Sequence, residues 1–344
     1  MNTARLAIVG AGVIGKRHIA AIAGTPCAEL VAIADPVPAA KSVAEDNGAR
    51  WFAETADMLA AANPDGVIVA TPTEHHLAPV LAAMDAGAHV LVEKPITPSL
   101  EQAQEIIARS AATGRHVLVG HHRRHYRLLH KARELVQGGA LGQLVAVSGQ
   151  WNARKPPAYF QPDWRMKREA GPVLTNLIHD MDSLRFICGD LASISADVSS
   201  GILGGEKEDV AACVVRFRNG ALGSFILSDQ TPSPWAWEFA TGENSAFPRS
   251  AQNACRFMGT KAALDFPNLT LWTHEGGEPD WNHPMTAQAI DIDLGDAFAA
   301  QCRHFCAVIK GDEAPQITAA DAAMTLKATL AVFEAAQSGR RIDL

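Results

Sequence analysis

This sequence lacks any paired-cysteine motif. Its six cysteines, Cys27, Cys188, Cys213, Cys255, Cys302 and Cys306, are scattered with no CxxC, which excludes a disulfide scaffold and leaves buried thiols. It has no apolar run near the roughly 18 residues of a membrane span, no internal repeat and no low-complexity tract. It has no excess of positive charge: 30 Lys and Arg stand against 37 Asp and Glu, a formal −7, so no global field draws nucleic acid or anionic lipid. The opening MNTARLAIVG lacks the charged start, apolar stretch and cleavage site of an export signal. With reduced thiols, these absences predict a cytoplasmic protein with no membrane and no nucleic-acid partner.

What is present is globular: 344 residues, 48% hydrophobic and 19% charged, a length of about two domains at roughly 150 each. Residues 1–120 alternate strand-like and helical runs in a βαβ rhythm, with strands expected at 5–9, 29–34, 50–52, 66–70, 89–92 and 116–119. Continuous runs such as GVIVA and HVLV suit strands covered on both faces. After Gly120 the strands lengthen, at 144–151, 194–203, 210–218, 222–228 and 255–258, with helices at 172–188, 296–309 and 319–338. The fold class is therefore α/β, with an N-terminal doubly wound Rossmann domain over 1–120. An α+β domain with a large, mainly antiparallel open sheet follows over 121–344, its last helix able to pack back on the first domain.

Within VVRFRNGALGSF, Asn219-Gly220 is expected to supply the positive φ values of a tight hairpin turn. The flanking strands carry apolar residues at odd and even positions, so both faces call for burial. A second copy of the chain would cover the outer face, giving a homodimer or homotetramer through the C-terminal sheet; a helix or the segment 272–294 is the alternative cover.

The run AIVGAGVIGKRH places Gly10, Gly12 and Gly15 between a strand and a helix. The first glycine allows a tight turn, the second lets backbone approach a pyrophosphate, and the third lets helix and strand pack closely. Val13 and Ile14 open the helix, whose free N–H groups face the anion. Asp35 ends the second strand 20 residues beyond Gly15, where a carboxylate accepts ribose hydroxyls. It would repel the 2′-phosphate of NADP, and Pro36, Val37 and Pro38 offer no arginine, so NAD is the favoured cofactor over NADP; Lys41 is the nearest cation.

Together with that run, ATPTEHH and VEKP resemble the Gfo/Idh/MocA oxidoreductases, a family that includes inositol dehydrogenases and anhydrofructose reductases. The resemblance spans nearly the whole chain. It implies an NAD-dependent enzyme acting on CH–OH groups, moving hydride between nicotinamide and a secondary hydroxyl or ketone of a cyclic polyol, sugar or carboxylated sugar derivative. Glu93-Lys94-Pro95 sets Lys94 at the carboxyl end of a strand, where it could exchange a proton with a substrate hydroxyl; the resemblance gives it that catalytic role. It also implies that Thr71, Pro72, His76 and Glu93 lie on the cofactor side, and that His179 contributes to catalysis. Many members carry an aspartate four residues before that histidine; here stands Thr175, which cannot hold an imidazolium by charge, with Asn176 and Asp182 as neighbours that could help. The residues alone also fit a plain amphipathic helix, with Thr175, His179 and Asp182 as its wet stripe.

Substrate contacts are expected from Lys94, Arg123, Trp164, Arg165, Thr175, Asn176 and His179. Residues 115–168 hold 11 Lys and Arg against two acids, a local +9, which suits an anionic small-molecule substrate; exposed helix faces and pairing with distant acids are the other reading of such a run. Trp151, Tyr159, Trp164, Trp235 and Trp237 are candidates for stacking on a sugar ring. No metal is expected: His121, His122, His179, Asp180 and Asp182 come with no HExxH or cysteine cluster. Two other functions remain, a non-catalytic NAD-binding ligand sensor and an NAD-using glycoside-cleaving enzyme. Retention of Lys94 and His179 argues for catalysis, Thr175 for a sensor.

Overall fold

The structure is a computed structural model that describes residues 3–275 and 280–344. The chain forms two compact units, residues 1–125 with 296–326, and residues 126–295 with 327–344. The first unit ends at His125, a few residues past the boundary expected at 120, and the chain returns to it over residues 296–326.

The first unit holds β1 (Ala4–Val9), β2 (Ala28–Ala34), β3 (Arg50–Phe52), β4 (Gly66–Val69), β5 (His89–Val92) and β6 (Val117–Val119). They form one sheet in the order β3-β2-β1-β4-β5-β6, all pairs parallel. β4 and β6 are buried at every position, as the continuous apolar runs require. Between them run α1 (Val13–Ala23), α2 (Ala40–Asp46), α3 (Thr55–Ala62), α4 (Leu77–Asp85) and α5 (Leu100–Thr113). This strand order reverses direction beside β1 and β4, and ligands of such sheets sit at the carboxyl ends of the strands at that switch.

The second unit holds α6 (Arg127–Gln137), α7 (Ile178–Cys188) and α8 (Trp237–Thr241) with β7 (Leu144–Asn152), β8 (Leu191–Ser199), β9 (Val210–Phe217), β10 (Leu222–Ser228), β11 (Cys255–Gly259), β12 (Ala262–Phe266), β13 (Thr270–His274), β14 (Met285–Ala289) and β15 (Ile342–Asp343). These build a nine-stranded sheet in the order β14-β13-β12-β11-β7-β10-β9-β8-β15. β10 and β7 run parallel; the other neighbours are antiparallel. Strands β12 to β15 go beyond the sequence expectation. β13 and β14 arise within the segment 272–294 and its approach, of which residues 276–279 lie outside the described residues.

The β9–β10 turn differs from expectation in its chemistry. Gly220 alone takes a positive φ, +92°; Asn219 instead accepts the Ala221 amide (3.1 Å) and donates through Nδ2 to the Cys188 carbonyl (3.0 Å), tying the turn to the end of α7.

α9 (Ala297–Lys310) and α10 (Ala319–Ser338) complete the chain. Phe305, Cys302, Cys306 and Val308 of α9 join Leu6, Ile8, Ile33, Ile68, Leu91 and Leu118 in one core. A Cβ on Gly66 would lie 2.7 Å from Ile309 and 2.8 Å from Phe305, so glycine there lets α9 close over β4. The six cysteines are free thiols, and Cys27 is the one that is partly exposed. Among the described residues no helix is long and apolar enough to cross a membrane.

Candidate active site

The glycine loop follows β1. Gly10 has φ +95°, and a Cβ there would sit 2.8 Å from the Ala70 carbonyl oxygen. A Cβ on Gly15 would lie 2.0 Å from the Gly10 oxygen, whereas one on Gly12 would meet nothing within 4 Å. Gly12 therefore leaves open space at the start of α1, which has no side-chain cap, and Val13 and Ile14 stand exposed beside it. Asp35 does more than face outwards: Oδ2 accepts the Ala11 amide (2.7 Å) and Oδ1 the Val37 amide (2.8 Å), so it fixes the loop to the end of β2. Each oxygen keeps a second lone pair for a ribose hydroxyl. Thr71 follows β4, its hydroxyl oxygen buried without a partner, and Pro72 is exposed. Uncapped amides, an open glycine, a carboxylate and an orphaned hydroxyl fit a dinucleotide.

Lys94 lies just past β5, half-buried, and its peptide bond to Pro95 is cis. Its backbone is positioned by two histidines. His18, buried on α1, bonds through Nε2 to Glu93 Oε1 (2.8 Å), and Glu93 Oε2 accepts the Lys94 amide (3.2 Å). Burial pushes the Glu93 carboxyl up, but the His18 hydrogen bond and charge, with Lys94 and His122, outweigh it and hold it at about 2. A Cβ on Gly120 would lie 2.8 Å from Glu93 Oε1, so this glycine makes room for the carboxylate. His76, expected on the cofactor side, bridges backbone groups: Nδ1 faces the carbonyls of Pro95 (3.0 Å) and Ile96 (3.2 Å), and Nε2 that of Thr71 (3.0 Å). Burial pushes its pKa down against those carbonyls, and the ring joins the end of β4 to the turn that carries Lys94.

The Glu93 carboxylate gives a pH prediction. Its pKa falls from 4.5 to about 2 on folding, so its stabilisation is full above about 4.5 and is lost as pH falls through 2. Urea midpoints of the parent are expected to drop across that window, while Glu93→Gln starts lower at neutral pH and shows a flatter acid limb. Parallel curves would remove Glu93 from the acid response.

In the second unit, a π-helical turn, Val173–Leu177, runs into α7; such turns are frequent at functional sites. His179 and Asp182 are buried on α7, which rules out the wet-stripe reading. The Thr175 hydroxyl donates to the Gly171 carbonyl (2.9 Å) and lies 2.9 Å from Asn176 Oδ1. Glu208 caps this helix: Oε1 accepts the Val173 amide (2.7 Å), and burial pushes its carboxyl up. Beneath it Lys207 is fully buried with Asp209 (3.0 Å) and Asp229 (3.1 Å). His18, Lys155 and this ion triad are absent from the sequence-derived site. The available signal was position, a histidine one turn after Gly15 for the first, while GEKEDV reads as a solvated turn.

The expected cationic patch is largely dispersed. Arg124 is buried on Asp321 (2.5 Å), Lys131 pairs with Glu134, Lys167 with Glu206, Arg133 lies over Phe186 and Arg168 over Phe333. Arg123 is 1% exposed. Trp151 and Trp237 are core residues, with Trp151 Nε1 bonded to Glu238 (2.8 Å). Trp164 and Trp235 stay exposed.

A six-stranded sheet in this order with such a loop defines a dinucleotide-binding protein. Residues 4–121 match the family described as "Oxidoreductase family, NAD-binding Rossmann fold", and residues 129–265 match "GFO/IDH/MocA C-terminal domain". The chain is 30% identical over 250 residues to the rhizopine catabolism protein MocA of Rhizobium meliloti, covering 70% of this chain and 77% of that one. It is 25% identical to the scyllo-inositol 2-dehydrogenase (NAD(+)) of Bacillus subtilis, over 99% and 98% of the two chains. The fold matches the WlbA dehydrogenase of Bordetella pertussis in complex with NADH and UDP-GlcNAcA, with a TM-score of 0.80 at 24% identity over 100% and 99% of the chains. It likewise matches an oxidoreductase of Agrobacterium radiobacter in complex with NAD+, L-tartaric acid and magnesium (TM-score 0.85, 21% identity, 99% and 98% covered). The chain belongs to the Gfo/Idh/MocA family of NAD-binding oxidoreductases.

Proposed function

We propose that this chain is an NAD-dependent dehydrogenase of a cyclic polyol, sugar or carboxylated sugar derivative, working in the cytoplasm. The observation that carries the reading is Lys94 at the carboxyl end of β5, its amide held by an ionised, buried Glu93. Gly10, Gly12, Gly15 and the amides opening α1 would hold the pyrophosphate, Asp35 the ribose, and Thr71 with Pro72 the nicotinamide side. Bound NAD supplies the hydride acceptor. Lys94 Nζ takes the proton of the substrate hydroxyl as the carbon is oxidised, and returns it when a ketone is reduced. His179 orients the hydroxyl, and Arg123, Trp164, Arg165, Thr175 and Asn176 contact the substrate. Thr175, its hydroxyl spent on Gly171, cannot supply the charge that an aspartate would.

A screen of polyols, sugars and uronic acids with NAD tests this. Net NADH supports the dehydrogenase, released aglycone without net NADH would replace it by the glycoside-cleaving route, and silence across the panel with NAD bound would replace it by the sensor.

The outer face of the nine-stranded sheet exposes Val214 on β9 with Leu222 and Ile226 on β10. We assign it to a homodimer or homotetramer contact. Val214→Asp with Ile226→Asp is expected to leave the circular dichroism spectrum unchanged and to shift the sedimentation mass to that of a monomer. A parent that is already monomeric would refute the assignment.

A further inference from the structure

Three cations converge in the second unit, and of these Arg165 alone is among the substrate contacts expected from the sequence. Lys155 follows β7; its side chain is 12% exposed, with Nζ 3.5 Å from Asp229 Oδ2 and 3.4 Å from Asn176 Oδ1. Both contacts are long for an ammonium. The reason lies on the other side of Asp229, whose two oxygens are each 3.1 Å from Lys207 Nζ, and Lys207 also serves Asp209. Arg165 lies in the following loop, its guanidinium carbon 4.0 Å from the centre of the Tyr159 ring and 3.8 Å from that of Trp164. It donates to the Tyr159 hydroxyl, and no carboxylate among the described residues pairs with it. Lys155 lies 4.8 Å from the centre of the same Tyr159 ring.

The charges around Lys155 are thus three cations, Lys155, Lys207 and Arg165, against two acids, Asp209 and Asp229. Glu208, a third carboxylate, stands beside Lys207 and Asp229, with burial pushing its carboxyl up and its Oε1 accepting the Val173 amide. Burial, opposed by Asp229 but reinforced by Lys207 and Arg165, holds the Lys155 ammonium down at about 8. An anion seated beside it would relieve that cost.

We propose that Lys155 and Arg165 form a carboxylate-binding subsite that selects sugar acids over neutral sugars and polyols. The planar guanidinium supplies a two-pronged contact, the ammonium a second charge, and the exposed Trp164 ring a surface for the sugar's C–H face. Asn176, on the π-helical turn two residues before α7, links the ammonium to the helix that carries His179. The substrate class rests on the dehydrogenase reading; the anion subsite itself does not.

The test measures binding by calorimetry with NAD present, using D-glucuronate, D-galacturonate and L-tartrate against D-glucose, D-galactose and L-threitol, with NADH formation followed in parallel. At least one acid is expected to bind about ten- to a hundredfold tighter than its neutral counterpart, the loss expected for a charge-assisted hydrogen bond. Lys155→Met should erase that preference and leave the neutral partner within about twofold, while Lys155→Arg restores part of it. If Lys155→Met does not fold, Arg165→Gln, at a partly exposed position outside the buried ion triad, should weaken the acid more than its neutral counterpart. Equal binding of every acid and its counterpart by the parent, or equal weakening of both by the variants, overturns the subsite. Lysine-dependent binding of an acid without NADH formation upholds the subsite and tells against the dehydrogenase.

Discussion

Lys94→Ala is expected to lower turnover by about 10²- to 10⁴-fold, the usual contribution of a positioned acid or base, while the NAD dissociation constant moves by less than about threefold. The argument starts with the backbone. Strand β5 delivers Lys94 to the sheet edge where ligands of this fold bind, and Glu93 fastens the Lys94 amide at 3.2 Å. Glu93 is itself held by His18 at 2.8 Å, so the group that steadies the lysine is anchored to α1, the helix of the glycine loop. Pro95 and Ile96, the next two residues, are pinned by His76. A backbone fixed by that many contacts roots the Lys94 side chain for a proton transfer that needs close geometry. Lys94→Arg should fail nearly as badly, because a guanidinium does not release its proton in the accessible pH range. Initial rates across pH and fluorescence titration of NAD separate chemistry from binding. Full turnover in the alanine variant would assign the proton to another group.

The parts of this site that the sequence reveals are those governed by local rules. Apolar runs buried on both faces mark β4 and β5, and glycine spacing marks the loop because each glycine answers a short-range steric demand. The parts it conceals depend on pairs far apart in the chain. Arg124 counts as one charge of a +9 run until Asp321, 197 residues later, takes it. Lys207, Glu208 and Asp209 look like a solvated turn, yet they are at most 2% exposed, since Lys207 finds a second carboxylate in Asp229, just past the end of β10. His18 reads as one more polar residue on a helix until Glu93, 75 residues on, becomes its partner. β13 and β14 are missed for another reason: their residues are mostly intermediate or exposed, so they carry no strong period-2 signal.

Gly12→Ala and Gly15→Ala are expected to part company although they lie three residues apart. The new Cβ at Gly15 would fall 2.0 Å from the Gly10 carbonyl oxygen and 3.0 Å from its carbon. Both are backbone atoms, so α1 and the loop must separate. Overpacking of that kind costs about 1–3 kcal/mol, and because Asp35 binds the adjacent Ala11 amide, the ribose end of the site moves with it. Stability and NAD affinity should therefore fall together. Gly12 has φ −69° and ψ −162°, which an L-residue adopts freely, and its Cβ would meet no atom within 4 Å. Folding should be unaffected or improved by about 0.4–1 kcal/mol, since alanine narrows the unfolded ensemble. The methyl group would instead occupy the space through which the pyrophosphate reaches the α1 amides. Losing one such charge-assisted hydrogen bond weakens NAD by about ten- to a hundredfold. Urea denaturation and calorimetric NAD titration on both variants give four numbers. The decisive one is the affinity of Gly12→Ala: a value equal to the parent's, in a protein of unchanged stability, would mean that the dinucleotide does not approach the chain at Gly12.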